Sequence, residues 1–236
     1  MTGSLLEISD DVNQYLNLNE LTTLSTVSTN TFFRGLNNMK FNRFVPYENG
    51  EEILRKLTNK DEVKLSDIKA SSNVNVADED GGTPLHLAVN NEMVELLIKE
   101  GADFNHTNKY GKTPFYMAAE NNNFEKAKLL LNEGADVNIS DIHDMTPLNW
   151  SALKNKSKMV EFLISAEANV NISNIKGWTP LYSAIGYNNI EIVKLLIKEG
   201  ADVNAINNGI PPTPLHLAIE KNNIEMIELL KRAGAH

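Results

Sequence analysis

Thr179-Pro180-Leu181-Tyr182, running on to Gly200-Ala201-Asp202-Val203-Asn204, is the stretch whose reading decides the fold, because the chain writes it five times. It opens at Thr83-Pro84, Thr113-Pro114, Thr146-Pro147, Thr179-Pro180 and Thr213-Pro214, at steps of 30, 33, 33 and 34 residues. It closes at Gly101-Ala102-Asp103, Gly134-Ala135-Asp136, Glu167-Ala168-Asn169, Gly200-Ala201-Asp202 and Gly234-Ala235-His236. Four of the five openings stand 21 residues before their closing. A fixed period of this size means a stacked array.

Each residue type in the unit has a physical task. Thr179 can cap a helix with its hydroxyl, Pro180 suits the first helical position where no donor is needed, and Leu181, Ala184 and Ile185 fall on one side. Asn188-Asn189 interrupts that helix. Ile190, Val193, Leu195 and Leu196 give a second apolar stripe, and Gly200 supplies the left-handed residue that ends the second helix. The product is a helical hairpin whose stripes can be buried only against neighbouring hairpins. Thr-Pro-Leu-His, Leu-Ala, Leu-Leu and Gly-Ala-Asp-Val-Asn together resemble the ankyrin repeat over residues 82–236. The fold class this implies is all-α: an ankyrin-repeat helical solenoid of five repeats plus a degenerate N-terminal capping unit, preceded by a small helical domain.

The composition agrees with a soluble chain. At 236 residues and 42% apolar content it can form one or two domains, and no apolar run is long enough to span a membrane. There is no cysteine, which fits a reducing compartment but also an Asn-rich, drifted composition. Met1 opens no signal peptide, so the expected localisation is cytoplasmic. Asn138 and Asn171, in Asn-Ile-Ser triplets, read as repeat loops rather than glycosylation sites. The net charge of −9 opposes nonspecific attraction to nucleic acid or anionic lipid, and favours a partner with a basic patch.

Residues 1–45 are a different text. Leu16 and Leu18 are followed by Glu20-Leu21, Leu24 and Val27-Ser28, spaced so that Leu21, Leu24 and Ser28 fall on one helical face. Either they form a helical cap for the array, or they belong to a domain of their own. The segment Tyr15 to Ser28 resembles the F-box, in which a leucine pair is followed by an acidic residue, a leucine and Leu-x-x-Val-Ser. It departs at Ser4-Leu5, where that family opens with Leu-Pro, and at Thr29, Asn30 and Thr31, where aromatic or basic residues are usual. The resemblance implies docking on the Skp adaptor of a cullin-type ubiquitin ligase, with Leu16, Leu18, Leu21 and Leu24 divided between core and adaptor interface. An F-box followed by ankyrin repeats also resembles effectors that intracellular pathogens place in host cytosol.

Residues 46–81 form the seam. Ser72-Asn73-Val74-Asn75 echoes the later Ala-Asp-Val-Asn loops, and Ser66-Asp67 stands where later repeats have Leu-Leu, as suits an end unit facing water. The domains expected are thus 1–45, 46–81 and 82–236. Within the array the first repeat lacks three residues between Ala88 and Met93, so a helix is shortened or the hairpin re-angled there. Glu167 stands where the turn wants glycine. Trp150 stands where other repeats have Leu87, Met117, Ser183 and Leu217, with the small Ser183 expected to make room for the indole. The last repeat is entered through Gly209-Ile210-Pro211-Pro212.

No pattern for chemistry survives: no nucleophile elbow, no phosphate loop and no His-Glu-x-x-His. Asp78-Glu79-Asp80-Gly81 begins like a calcium loop but lacks its closing glutamate, and reads as an acidic fingertip. His86 and His216 occupy the third helical position, where a capping role is expected. No enzyme, cofactor or metal is therefore expected. The resemblance instead implies a monomer that binds a protein partner on the concave ankyrin face, through loop tips and the exposed ends of the first helices. On this chain these are Tyr110, Lys112, Ile142, His143, Met145, Ile175 and Trp178 at the tips, and Leu153 and Tyr187 at the helix ends.

Overall fold

The computed structural model describes residues 73–209 and 211–236. The chain divides between Met1–Pro46 and Tyr47–His236, and all described residues belong to the second unit. The F-box-like Leu16, Leu18, Leu21 and Leu24 lie outside them, as does most of the seam.

Among the described residues there are ten helices and no strand, arranged as five hairpins. The first helices are α1 (Pro84–Leu87), α3 (Pro114–Glu120), α5 (Pro147–Leu153), α7 (Pro180–Gly186) and α9 (Pro214–Glu220). The second helices are α2 (Asn91–Lys99), α4 (Phe124–Asn132), α6 (Ser157–Ser165), α8 (Ile190–Lys198) and α10 (Ile224–Arg232). Each first helix starts as the residue types require. Thr113, Thr146, Thr179 and Thr213 accept from the backbone N–H three residues on, and proline follows each. In α1 the roles are exchanged, with His86 Nδ1 accepting from the Thr83 N–H at 3.1 Å.

First helices pack on first helices from α1 through α9. Leu97, Leu130, Leu163, Leu196 and Leu230, one per second helix, are each 0% exposed and form a continuous column, each side chain contributing about 1.5–3 kcal/mol of burial. Leu181, Ala184 and Ile185 are buried as predicted. The second stripe differs: in α8 the buried residues are Ile192, Val193 and Leu196, while Ile190 and Leu195 are only partly covered. Ile192 was missed because the face of α8 is set by both its own first helix and the next hairpin.

Polar side chains tie one repeat to the next. Asn75, Asn171 and Asn204 each donate to the carbonyl of the closing glycine one repeat later, Gly101, Gly200 and Gly234. The same amides accept from the N–H of Asp103, Asp202 and His236. The asparagine that closes Asn-Val-Asn or Asp-Val-Asn at positions 75, 171 and 204 is therefore an inter-repeat clamp, and Asn171 is engaged in this way inside its Asn-Ile-Ser triplet. The third helical position makes a second tie. His86 reaches the Lys112 carbonyl, Asn149 the Ile172 carbonyl and Tyr182 the Pro211 carbonyl, at 3.0, 2.8 and 2.8 Å. Tyr116 reaches the Asp141 carboxylate at 3.3 Å.

The missing residues of the first repeat come out of its first helix. α1 has 4 residues where the others have 7, and Ala88 leaves the helix at φ −59°, ψ 127°. In the complete hairpins a left-handed asparagine follows, Asn122, Asn155, Asn188 or Asn222. The next N–H then satisfies an exposed helix carbonyl, as Asn123 does for Ala118 at 2.8 Å and Asn189 for Ala184 at 3.1 Å. Ala88 is the residue in register with Ala118 and Ala184, and its carbonyl is met instead by Lys126 Nζ from α4 at 2.8 Å, with the His86 carbonyl at 2.9 Å. Lys126 is 3% exposed, and burial lowers its pKa to about 7.

Candidate functional site

The loop tips owe their shape to one repeated device. A side-chain oxygen at the base of each of the first four tips accepts from the backbone N–H groups two and four residues on, as an Asx turn. Asn108 holds Tyr110 and Lys112, Asp141 holds His143 and Met145, and Asn174 holds Lys176 and Trp178. Asp78 does the same for Asp80 and Gly82 at 2.9 and 2.7 Å, so the first member of the acidic fingertip is spent on its own turn. Adjacent tips are linked by single backbone bonds of 2.8–3.1 Å: Lys109 to Asp80, Ile142 to Tyr110, Ile175 to His143 and Asn208 to Lys176. Side chains that follow in a tip are consequently presented in a row. Gly177, at φ +76°, must lack a side chain, because a Cβ would stand 2.8 Å from the Asn207 Cα of the next tip.

Tyr110, Ile142, Ile175 and Tyr187 are 44, 58, 54 and 57% exposed, and His143 is exposed as well. Met145 and Leu153 are half-buried. Lys112 is drawn inward. Its ammonium is bidentate to Glu120 at 2.9 Å and lies 5.3 Å from the ring centres of both Tyr116 and Trp150, so it cross-ties the second and third repeats. Trp178 is half-buried. It lies 5.7 Å from the Tyr182 ring at an interplanar angle of 30°, with Lys176 Nζ 5.0 Å from its own ring centre. The Trp150 indole, which the sequence reading set against Ser183, is bracketed by the ammonium groups of Lys112 and Lys154, the latter at 4.7 Å.

Three of the predicted residues share one depression. Leu153, Trp178 and Tyr187 line a groove of about 380 Å³ together with Tyr182, Ser183, Gly186, Pro211, Leu217 and Lys221. Tyr182 and Leu217 were read from sequence only as helix positions. The signal that could have found them is the register itself, since Leu217 stands three residues and Tyr182 four residues before the last residue of its first helix.

His86 and His216 both pair with their capping threonine through Nδ1, at 2.9 and 2.6 Å. No cluster of three or more His, Asp or Glu side chains placed to hold a metal occurs among the described residues. No helix among them is long and apolar enough to cross a membrane.

These stacked hairpins match a family profile described as Ankyrin repeats (3 copies) at residues 46–141 and 138–207, and one described as Ankyrin repeat at 213–236. The chain belongs to the ankyrin repeat family. A comparison with curated proteins finds no match. Ankyrin repeats form an all-helical protein-interaction module, and in this one the profile begins at residue 46, upstream of the first complete hairpin. The clamp from Asn75 to the first ankyrin repeat has the same geometry as the clamps between later repeats.

Proposed function

We propose that this ankyrin repeat protein is a recruitment adaptor. Its array takes up a target protein on the face formed by the tips and first helices, and residues 1–45, F-box-like, hold the Skp adaptor of a cullin-type ubiquitin ligase. In this reading residues 46–81 are linker and degenerate capping unit, residues 82–236 select the target, and the chain acts as a cytosolic monomer, host cytosol included, without chemistry or cofactor of its own. The observation that carries the array half is the exposure of Tyr110, Ile142 and Ile175 on successive loop tips and of Tyr187 at a first-helix end. A solenoid has no packing need for them there, and aromatic anchors of this kind carry most of an interface's energy, about 2 kcal/mol or more each. The ligase half is supported by the leucine and Val-Ser spacing. A profile match that starts at residue 46 also suits a second reading, an ankyrin scaffold whose N-terminal helices only cap the array.

Calorimetric titration of the full chain with the Skp adaptor separates the two. Binding stronger than tens of micromolar supports recruitment, and none leaves the scaffold. Leu18→Ala with Leu21→Ala should abolish adaptor binding and spare target binding; loss of both together would show that these leucines hold the end of the array. On the array, Trp178→Ala with Tyr187→Ala should weaken the target by at least about tenfold with little change in melting temperature, whereas a large fall in melting temperature with intact binding would return both residues to the core.

A further inference from the structure

The whole chain is acidic, yet its charge is unevenly placed. On the second helices the signs balance, exposed Glu92, Glu95, Glu125, Glu161, Glu191, Glu225 and Glu228 standing among exposed Lys99, Lys128, Lys158, Lys194, Lys198, Lys231 and Arg232. Around the groove between the fourth and fifth repeats cations prevail. Lys221 lines it, and Lys176 stands over the Trp178 ring that forms its wall. Both lysines are exposed, and neither is among the ion pairs that the described residues form. Glu220 is near enough for its charge to act on the Tyr182 phenol. Two cations outside any ion pair make this rim complementary to an anion.

The groove is not suited to a bare anion. Its walls are Trp178, Tyr182, Tyr187, Leu153 and Leu217, and about 380 Å³ is room for a large side chain with the backbone that carries it. Ser183 lies at the floor of the same groove, 2% exposed.

We infer that this groove docks an acidic peptide segment carrying one large apolar side chain. The apolar side chain seats between Tyr187 and Leu217, and flanking carboxylates meet Lys176 and Lys221. The inference rests on the reading that the first-helix face takes up a protein, and it replaces the basic partner expected from net charge. Attraction to the rim is local, because charges beyond about 10 Å are screened at moderate salt, so the net charge of −9 on the whole chain does not cancel it.

The test is selection of a random-peptide phage library on the full chain, followed by titration of the enriched peptides. The expected result is peptides rich in Asp and Glu around one Trp, Phe or Leu. Their affinity should fall about tenfold in Lys176→Glu with Lys221→Glu, survive Lys176→Arg with Lys221→Arg, weaken as salt rises, and fall again in Tyr187→Ala. Enriched peptides that are basic, or that ignore the lysine reversal but need Tyr187, would overturn the acidic occupant and leave the first-helix face as the binding face. Peptides indifferent to all these variants would defeat both readings, and a library that yields no binder would overturn the groove. Since the substituted residues are exposed, a melting curve of each variant should match the parent.

Discussion

The first and fourth ankyrin repeats share their opening and closing residues and finish their first helices differently. In the fourth, α7 runs its full 7 residues, Asn188 turns the chain at φ 61°, and the Asn189 N–H meets the Ala184 carbonyl at 3.1 Å. In the first, three residues are gone and the carbonyl in the same register is met by the Lys126 ammonium from the following repeat at 2.8 Å. The difference teaches that the stack requires a donor at that point, and is indifferent to whether backbone or side chain supplies it. It also has a consequence for the surface. The complete helix ends in the exposed Tyr187 beside a groove, while the shortened one ends in a buried cation.

The comparison can be broken most forcefully at Lys126. Its register is held in later repeats by Met159, Ile192 and Met226, each at most 1% exposed. Lys126→Ala should cost about 3 kcal/mol or more in urea unfolding, from lost packing and two stranded carbonyls. Lys126→Met keeps the packing, and should still cost about 1–3 kcal/mol. A stabilised methionine variant would show that the ammonium is a burden on the first repeat and not its cap.

His86 sharpens the same point through pH. Burial above all, helped by the charge of Lys126, lowers its pKa from 6.5 to about 4. The unfolded chain therefore binds this proton first. The contribution tied to His86 is fully present above pH 6.5 and should decline as pH falls toward 4, by up to about 3 kcal/mol. His86→Tyr, with the residue that the second and fourth repeats carry at this register, should flatten that slope in denaturation midpoints measured across the window.

The smallest effect separates the third repeat from its neighbours. Glu167 holds φ 62° where Gly134 and Gly200 hold 94° and 86°, and a Cβ at either glycine would meet nothing within 4 Å. The penalty at Glu167 is thus conformational alone, about 1–2 kcal/mol against about 0.5–1 kcal/mol gained from a less free unfolded chain. Glu167→Gly should raise stability by roughly 0.5–1 kcal/mol. An unchanged or lower melting point would place the strain elsewhere.

Much of this was legible from residue types because it is local. Thr-Pro starts, closing glycines and the Glu167 anomaly depend on φ, on a missing donor and on one turn of helix, and each was read correctly before any neighbour was known. The 33-residue period likewise announced the stack, since neither stripe of a hairpin can be buried alone. Only the tertiary structure decided what crosses between repeats. That Asn75, Asn171 and Asn204 are clamps, that Lys112 is a cross-tie, that Lys126 caps a helix in another repeat and that Leu153, Trp178 and Tyr187 share a groove with Lys221 are facts about residues some 26 to 68 positions apart. A hydrogen bond or a charge pairing of that kind is set by which side chains the stacking brings within about 3 Å, a distance that spacing along the chain does not encode.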